Sequence, residues 1–118
     1  MINNNMLYGL GDMTIGNTVT IPSYMALGSS NATLSATDTI IGGEFVRLPL
    51  VTKSRTQNLI KLETLFAGGI ASSLPINVVG LFNSSGGGNL WANMLMASIM
   101  QTTSFDIDVE IWIQFIGV

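Results

Sequence analysis

The chain has 118 residues, of which 47% are hydrophobic and only 9% are charged, with a formal net charge of −3. This length fits one domain, and the apolar content excludes intrinsic disorder. The absence of Cys and His excludes disulfides, thiolate or imidazole metal sites and histidine-dependent catalysis. The acidic balance argues against nucleic-acid binding, and the apolar stretches are shorter than the roughly 20 residues of a membrane helix. An average domain carries about 25% charge, so we expect a soluble globule whose surface is largely covered by neighbouring molecules.

Residues 1–17 are predicted to form an extended N-terminal arm that precedes a single domain of residues 18–118. The arm has neither the basic region nor the continuous apolar region of a secretory signal. It is too apolar for a free tail, so we expect it to lie on an adjacent subunit. Its candidate interface residues are Met6, Leu7, Tyr8 and Leu10.

Period-two alternation between turn residues predicts a series of β-strands after the arm. The expected strands lie at 18–21, 24–27, 44–48, 58–66 and 76–82. Glycine-rich or serine-rich turns separate them at 28–31, 42–43, 68–69 and 84–89.

The segment 90–101 fits two structures. Trp91, Leu95 and Ile99 would share one face of a helix with Asn89 as its N-cap, and they would also share one face of a strand. We favour the strand, because 84–89 is a natural hairpin connection from the preceding strand.

The last segment alternates most clearly. Its apolar row begins at Phe105, whereas the opposite row runs through Asp106, Asp108 and Glu110 to Trp112, Gln114 and Ile116. Trp112 and Ile116 are candidate interface residues, because apolar groups on the polar face of a strand need another cover. The whole pattern predicts an all-β fold, an antiparallel β-sandwich with jelly-roll-like topology.

The order of these motifs resembles that of small virion proteins of tailed bacteriophages, which serve as head decoration proteins or as tail and fibre-associated modules. The resemblance covers residues 20–118 and rests on MALG at 25–28, DTIIGGEFVR at 38–47, NLI at 58–60, VVGLFN at 78–83, GGGNLW at 86–91 and the final alternating strand. The chain departs from the pattern at Asn93 and Met94, where such proteins often carry a basic residue. The resemblance implies a virion β domain.

Acidic and basic residues are segregated along the chain. All four basic residues fall between Arg47 and Lys61, whereas an acidic row occupies the last strand. We expect ion pairs between subunits, which would fix their orientation, from the basic candidates Lys53, Arg55 and Lys61 to the acidic candidates Asp106, Asp108 and Glu110. The alternative for the acidic row is a calcium site, but the row alone supplies too few ligands.

Two other motifs invite catalytic interpretations. Asp38 and Glu44 could be compared with a glycosidase carboxylate pair, but we expect Asp38 to cap a loop and Glu44 to pair with Arg47. The glycines at 86–88 lack the lysine of a phosphate-binding loop, so a flexible hairpin is the better interpretation.

The sequence therefore predicts a non-enzymatic virion protein without catalytic residues, metal, cofactor, nucleic acid or membrane partner. The favoured role is a capsid decoration or cement subunit, assembled in the bacterial cytoplasm as a trimer or another symmetric homo-oligomer. Its partners would be the major capsid protein or tail proteins. A tail or fibre-associated subunit is the nearest alternative, and a carbohydrate-binding β-sandwich module is the alternative from another class.

Overall fold

The computed structural model describes residues 1–70 and 75–116. These ranges contain helix α1 (Asn4–Thr14) and the strands β1 (Tyr24–Gly28), β2 (Glu44–Pro49), β3 (Thr52–Thr56), β4 (Leu59–Phe66), β5 (Ile76–Phe82), β6 (Leu90–Ile99) and β7 (Ile107–Gln114). The all-β prediction is confirmed, with one short helix added. Within segment 90–101, Leu90–Ile99 forms a strand, as favoured over the helix.

The strands form two antiparallel sheets. The larger sheet has the order β2-β1-β5-β6 and the smaller sheet has the order β3-β4-β7. The chain changes sheet after β2, after β4 and after β6, so both sheets contain strands from distant parts of the sequence.

One hydrophobic cluster joins the two sheets. Met25, Leu27 and Leu81 contribute from the larger sheet, while Phe66 and Ile111 contribute from the smaller one. The predicted alternation of the last strand is visible as buried and exposed residues along β7. Each strand of the smaller sheet therefore leaves one face outside the core.

The predicted extended arm is wrong over most of its length, because Asn4–Thr14 is an α-helix. Met6, Leu10 and Met13 follow a helical spacing, and Met6 is buried in the core cluster with Leu10 packed against it. The helix ends at Thr14, and Gly16 follows its C-cap Ile15 with a φ of +84°, a conformation that suits glycine. A helix satisfies most of its backbone hydrogen bonds internally, whereas an extended arm would need another strand or water to do so.

The helix is held against β6 of its own chain. Ile2 pairs with Ala92 in an isolated antiparallel bridge, and the Asn3 backbone N–H donates to the Trp91 carbonyl at 2.9 Å. The start of the chain therefore covers part of the β6 edge. With 11 residues, α1 is too short to cross a bilayer, and no other part of the described chain offers a membrane-spanning helix.

Two strand predictions differ from the structure. Residues 18–21 form no strand, because Pro22 follows and both edges of β1 are already taken by β2 and β5. Val19 packs against the core cluster instead. The missed strand, β3, has the sequence TKSRT, which lacks apolar alternation because β3 is an exposed edge of the smaller sheet.

The helix contact with Trp91 can be tested by two matched glycine substitutions. A Cβ atom at Gly9 would lie 2.6 Å from Trp91 Cη2, whereas a Cβ at Gly11 would meet nothing within 4 Å. Gly11→Ala should stabilise the protein by roughly 0.5–1 kcal/mol through helix propensity. Gly9→Ala should destabilise it by about 1–2 kcal/mol, because overpacking of a buried indole outweighs that gain. Urea unfolding measures both, and equal stabilisation would contradict the helix packing.

Candidate functional site: a basic cavity, an apolar end and an acidic face

An apolar cavity of about 340 Å³ opens between α1 and the inner face of the smaller sheet. The helix contributes Met6, Leu10 and Met13, and the larger sheet contributes Leu81 and Trp91. The remaining lining is Ile21, Pro22, Lys53, Ser54, Arg55, Ile60, Leu62, Ile113 and Phe115. The volume falls in the range of small-ligand pockets, which extends from roughly 300 to 1,000 Å³.

Two cations stand at this cavity, which we call the basic cavity. Lys53 lies opposite Leu62 and Arg55 lies opposite Ile60 in the β3–β4 register, and residues directly opposite each other point to the same face of a sheet. Both cations therefore belong to the inner face. Arg55 Nη1 donates to the Gln57 carbonyl at 2.8 Å, but neither cation has an acidic partner within 4.0 Å in residues 1–70 and 75–116.

The opposite end of the molecule carries three exposed apolar side chains, those of Ile99, Met100 and Phe105. Together with the adjacent Asp106, we call them the Phe105 end. The buried Gln101 holds it, with Nε2 donating to the carbonyls of Phe66 and Ala67 at 2.8 Å and of Phe105 at 3.3 Å. The Gly68 N–H donates to Asp106 Oδ1 at 2.7 Å. These bonds fix the loop that presents Phe105.

The outer face of the smaller sheet carries a different acidic cluster from the one predicted. Carboxylate oxygens of Glu63, Asp108 and Glu110 lie within 4.8 Å of one another, so Glu63 replaces Asp106 in the group. Lys61 joins it, with Nζ at 3.4 Å from Glu110 Oε1 and 3.8 Å from Glu63 Oε1. The predicted pairing of Lys61 with Glu110 thus occurs within one chain.

The carboxyl groups of Glu63 and Asp108 lie close enough to share a hydrogen bond when one of them is protonated. Hydrogen bonding from Asp108 and Thr52, together with the charge of Lys61, lowers the pKa of Glu63. The same contact with Glu63 raises the pKa of Asp108, helped by partial desolvation and by the charges of Glu63 and Glu110. Asp108 is therefore the member of the pair that holds a proton more readily.

Trp112 lies on this acidic face with 54% of its surface exposed. Its Nε1–H donates to Glu110 Oε2 at 3.1 Å, and Lys61 Nζ lies 5.7 Å from the ring centroid. The two polar contacts orient an indole that its own chain leaves half uncovered.

The other predicted interface residues divide into two groups. Met6 is buried and Leu10 is half-buried at the basic cavity, so both side chains already pack within their own chain. Leu7 and Tyr8 are exposed on the other side of α1, and Ile116 is 77% exposed after β7. The structure does not bring these three together with Trp112 in one described contact.

The carboxylates that suggested a glycosidase both have structural roles, as expected. Asp38 Oδ2 accepts hydrogen bonds from the Ser35 N–H at 2.9 Å and from Asn93 Nδ2 at 3.1 Å. Glu44 pairs with Arg47 through two bonds of 2.7 and 2.8 Å. Arg47 also donates to the carbonyls of Ser84 and Gly87, so it holds the glycine-rich hairpin in place.

A second, polar cavity of about 200 Å³ lies between α1 and the loop before β2. Tyr8 and Asp38 line it together with Asn4, Asn5, Ala36, Thr37 and Thr39. An exposed aromatic ring beside amide, hydroxyl and carboxylate groups is a lining that a sugar could use.

Comparison of the chain with protein-family models and with curated proteins finds no match. The resemblance to phage virion proteins therefore stays a prediction.

The basic cavity has no continuous signature in the sequence, since its lining comes from residues between Met6 and Phe115 that only the fold assembles. One local signal was available. Lys53 and Arg55 alternate with Thr52, Ser54 and Thr56, which is the period of a strand that places two cations on one face.

The carboxyl pair predicts a pH-dependent gain for Asp108→Asn. An amide can donate to Glu63 without the charge that Glu63 and Glu110 repel, so the variant should be more stable than the wild type at pH 7. The gain should shrink as pH falls through the raised pKa of Asp108, because the wild-type carboxyl then becomes a neutral donor itself. Urea unfolding between pH 3 and pH 8 measures this.

Asp12→Asn serves as the control for this experiment, because it removes one negative charge from the exposed helix outside the acidic cluster. A gain for Asp108→Asn that is the same at both ends of the pH range would contradict the shared hydrogen bond.

Proposed function

We propose that this protein is a non-enzymatic structural subunit of a tailed-phage virion that functions by adhesion to copies of itself and to other virion proteins. The main observation in support of this proposal is the number of large hydrophobic side chains on the surface. Eighteen of them are exposed among the described residues, from 38% for Ile2 to 77% for Ile116. This number exceeds the four basic and seven acidic residues of the chain together.

The proposed mechanism is clamping between neighbouring subunits. Apolar area removed from water contributes roughly 25 cal/mol per Å² before the costs of association are subtracted. A surface with few charges suits this role, because each charge buried at a joint would need a partner. Many weak joints across a particle would then oppose its disruption together.

A capsid decoration or cement subunit is the favoured place in the virion, and a tail or fibre-associated subunit is the alternative. The motif order over residues 20–118 supports the virion class. The repeated change of sheet along the chain supports the jelly-roll-like topology that we propose with it.

Copy number in particles tests this proposal. Quantitative mass spectrometry of purified phage particles that contain the chain should find hundreds of copies for a shell subunit and about a dozen or fewer for a tail subunit. Absence of the chain from particles of the phage that encodes it would contradict the virion role.

The polar cavity beside Tyr8 supports a second candidate, a carbohydrate-binding module. Only one exposed aromatic lines that cavity, and Asp38 already accepts two hydrogen bonds there. Specific binding on a glycan array that Tyr8→Ala abolishes would favour this candidate over adhesion.

Two tryptophan substitutions separate adhesion from folding. Trp112→Ala should weaken association with other virion proteins at least about tenfold while reducing the free energy of unfolding by less than about 1 kcal/mol, because the ring is half exposed. Trp91→Ala should instead cost about 3–5 kcal/mol, because Trp91 is 4% exposed under α1. Light scattering and urea unfolding measure the two effects. A stability loss at Trp112 as large as that at Trp91, with association unchanged, would place Trp112 in the fold rather than the interface.

A further inference from the structure

The basic cavity and the Phe105 end lie at opposite ends of the two sheets. In the smaller sheet Ile60 pairs with Ile113 near the cavity, whereas Phe66 pairs with Ile107 at the far end. Gln101, which follows β6, donates to the carbonyl of Phe66, so the last residues of β6 reach the same far end. One copy of the chain therefore presents two different surfaces in two different directions.

We propose that the Phe105 end of one copy docks into the basic cavity of a second copy, head to tail. This inference rests on the adhesive part of the proposed function and names the surfaces that carry it. Phe105 and Met100 enter the apolar cavity, and Asp106 faces Lys53 and Arg55 of the copy that receives it.

The sizes and polarities of the two surfaces match. A cavity of about 340 Å³ lies in the range of small-ligand pockets, roughly 300 to 1,000 Å³, which is room for an aromatic ring with a neighbouring thioether chain. Its lining is almost entirely apolar apart from Lys53, Ser54 and Arg55. Phe105 and Met100 are 41% and 55% exposed in one copy, so both have apolar surface left to bury.

The charges of the two surfaces also match. Arg47 pairs with Glu44 and Lys61 pairs with Glu63 and Glu110. Lys53 and Arg55 are thus the basic side chains that lack an ion pair within the described ranges, and both stand at the cavity. Asp106 likewise has no ion pair there, and it stands beside Phe105. Opposite charges at a contact set its orientation and exclude the reversed arrangement.

The two surfaces differ, so the contact is heterologous. Each copy offers one Phe105 end and one basic cavity, and repetition of the same contact produces either a closed ring or an open filament.

Mixing two variants of the full chain tests the proposal. The cavity variant, Lys53→Glu with Arg55→Glu, keeps its Phe105 end, and the end variant, Phe105→Ser, keeps its cavity. Each variant alone should self-associate at least about tenfold more weakly than the wild type. A one-to-one mixture should form a dimer with one copy of each and nothing longer, because one good contact forms and the remaining two surfaces are both defective. Native mass spectrometry distinguishes the two chains by mass.

Val51→Ser is the matched control, because Val51 is 66% exposed and belongs neither to the cavity lining nor to the Phe105 end. It should associate like the wild type. Far-ultraviolet circular dichroism and urea unfolding of every variant show that losses of association do not reflect unfolding. High salt should weaken the mixed dimer, because its charge pairs are partly exposed.

Three outcomes overturn the proposal. Wild-type association of both variants would show that the contact lies elsewhere, while the adhesive function would stand. A mixture that stays monomeric under conditions where the wild type associates would exclude the head-to-tail pairing. The third outcome uses laurate, a fatty-acid anion, as a probe for a competing occupant of the apolar cavity and its two cations. If laurate binds equally to the wild type and to Phe105→Ser and leaves wild-type association unchanged, the cavity would belong to a small anionic amphiphile instead.

Discussion

The main constraint on this structure is that its interior is too small to bury all of its large apolar side chains. Seven described strands form sheets of four and three, and each strand of the smaller sheet can place only one face in the core cluster between the sheets. The larger sheet has a second buried cluster, which consists of Ala26, Ile41, Val78, Phe82 and Leu90. Helix α1 adds cover for Trp91 and the larger sheet, yet large apolar side chains such as Ile15, Ile40 and Ile116 stay more than 70% exposed. With few charges to keep the outer surface hydrated, the remaining apolar area favours contact with other molecules.

The four basic side chains divide into two that form ion pairs within the described part of the chain and two that do not. Arg47 and Lys61 are used inside the chain, where one fixes the glycine-rich hairpin and the other offsets the acidic cluster. Lys53 and Arg55 lie on the inner face of an edge strand, a position that discourages unregulated edge-to-edge pairing. In this arrangement the unpaired charges set the orientation of the associating copies, and burial of apolar surface supplies the free energy of association.

Much of the fold follows from period-two alternation, which predicts β1, β2 and β4–β7, because in these strands burial on one face selects the residues. Alternation gives the wrong prediction where another constraint decides the structure. Residues 18–21 alternate but form no strand, since Pro22 follows them and both edges of the adjacent β1 are already paired. β3 is an edge strand without apolar residues. Asn4–Thr14 forms a helix, which the spacing of Met6, Leu10 and Met13 fits, instead of the predicted extended arm. The basic cavity could not be predicted, because its walls come from α1 and both sheets.

Sedimentation velocity of the purified full chain over a wide concentration range, at low and at high salt, tests whether the exposed apolar surface drives association of the chain with itself. We expect sedimentation coefficients that rise with concentration, and association that is weaker but still present at high salt, because apolar contacts persist while ion pairs are screened. A single monomeric species at every concentration and salt would contradict it.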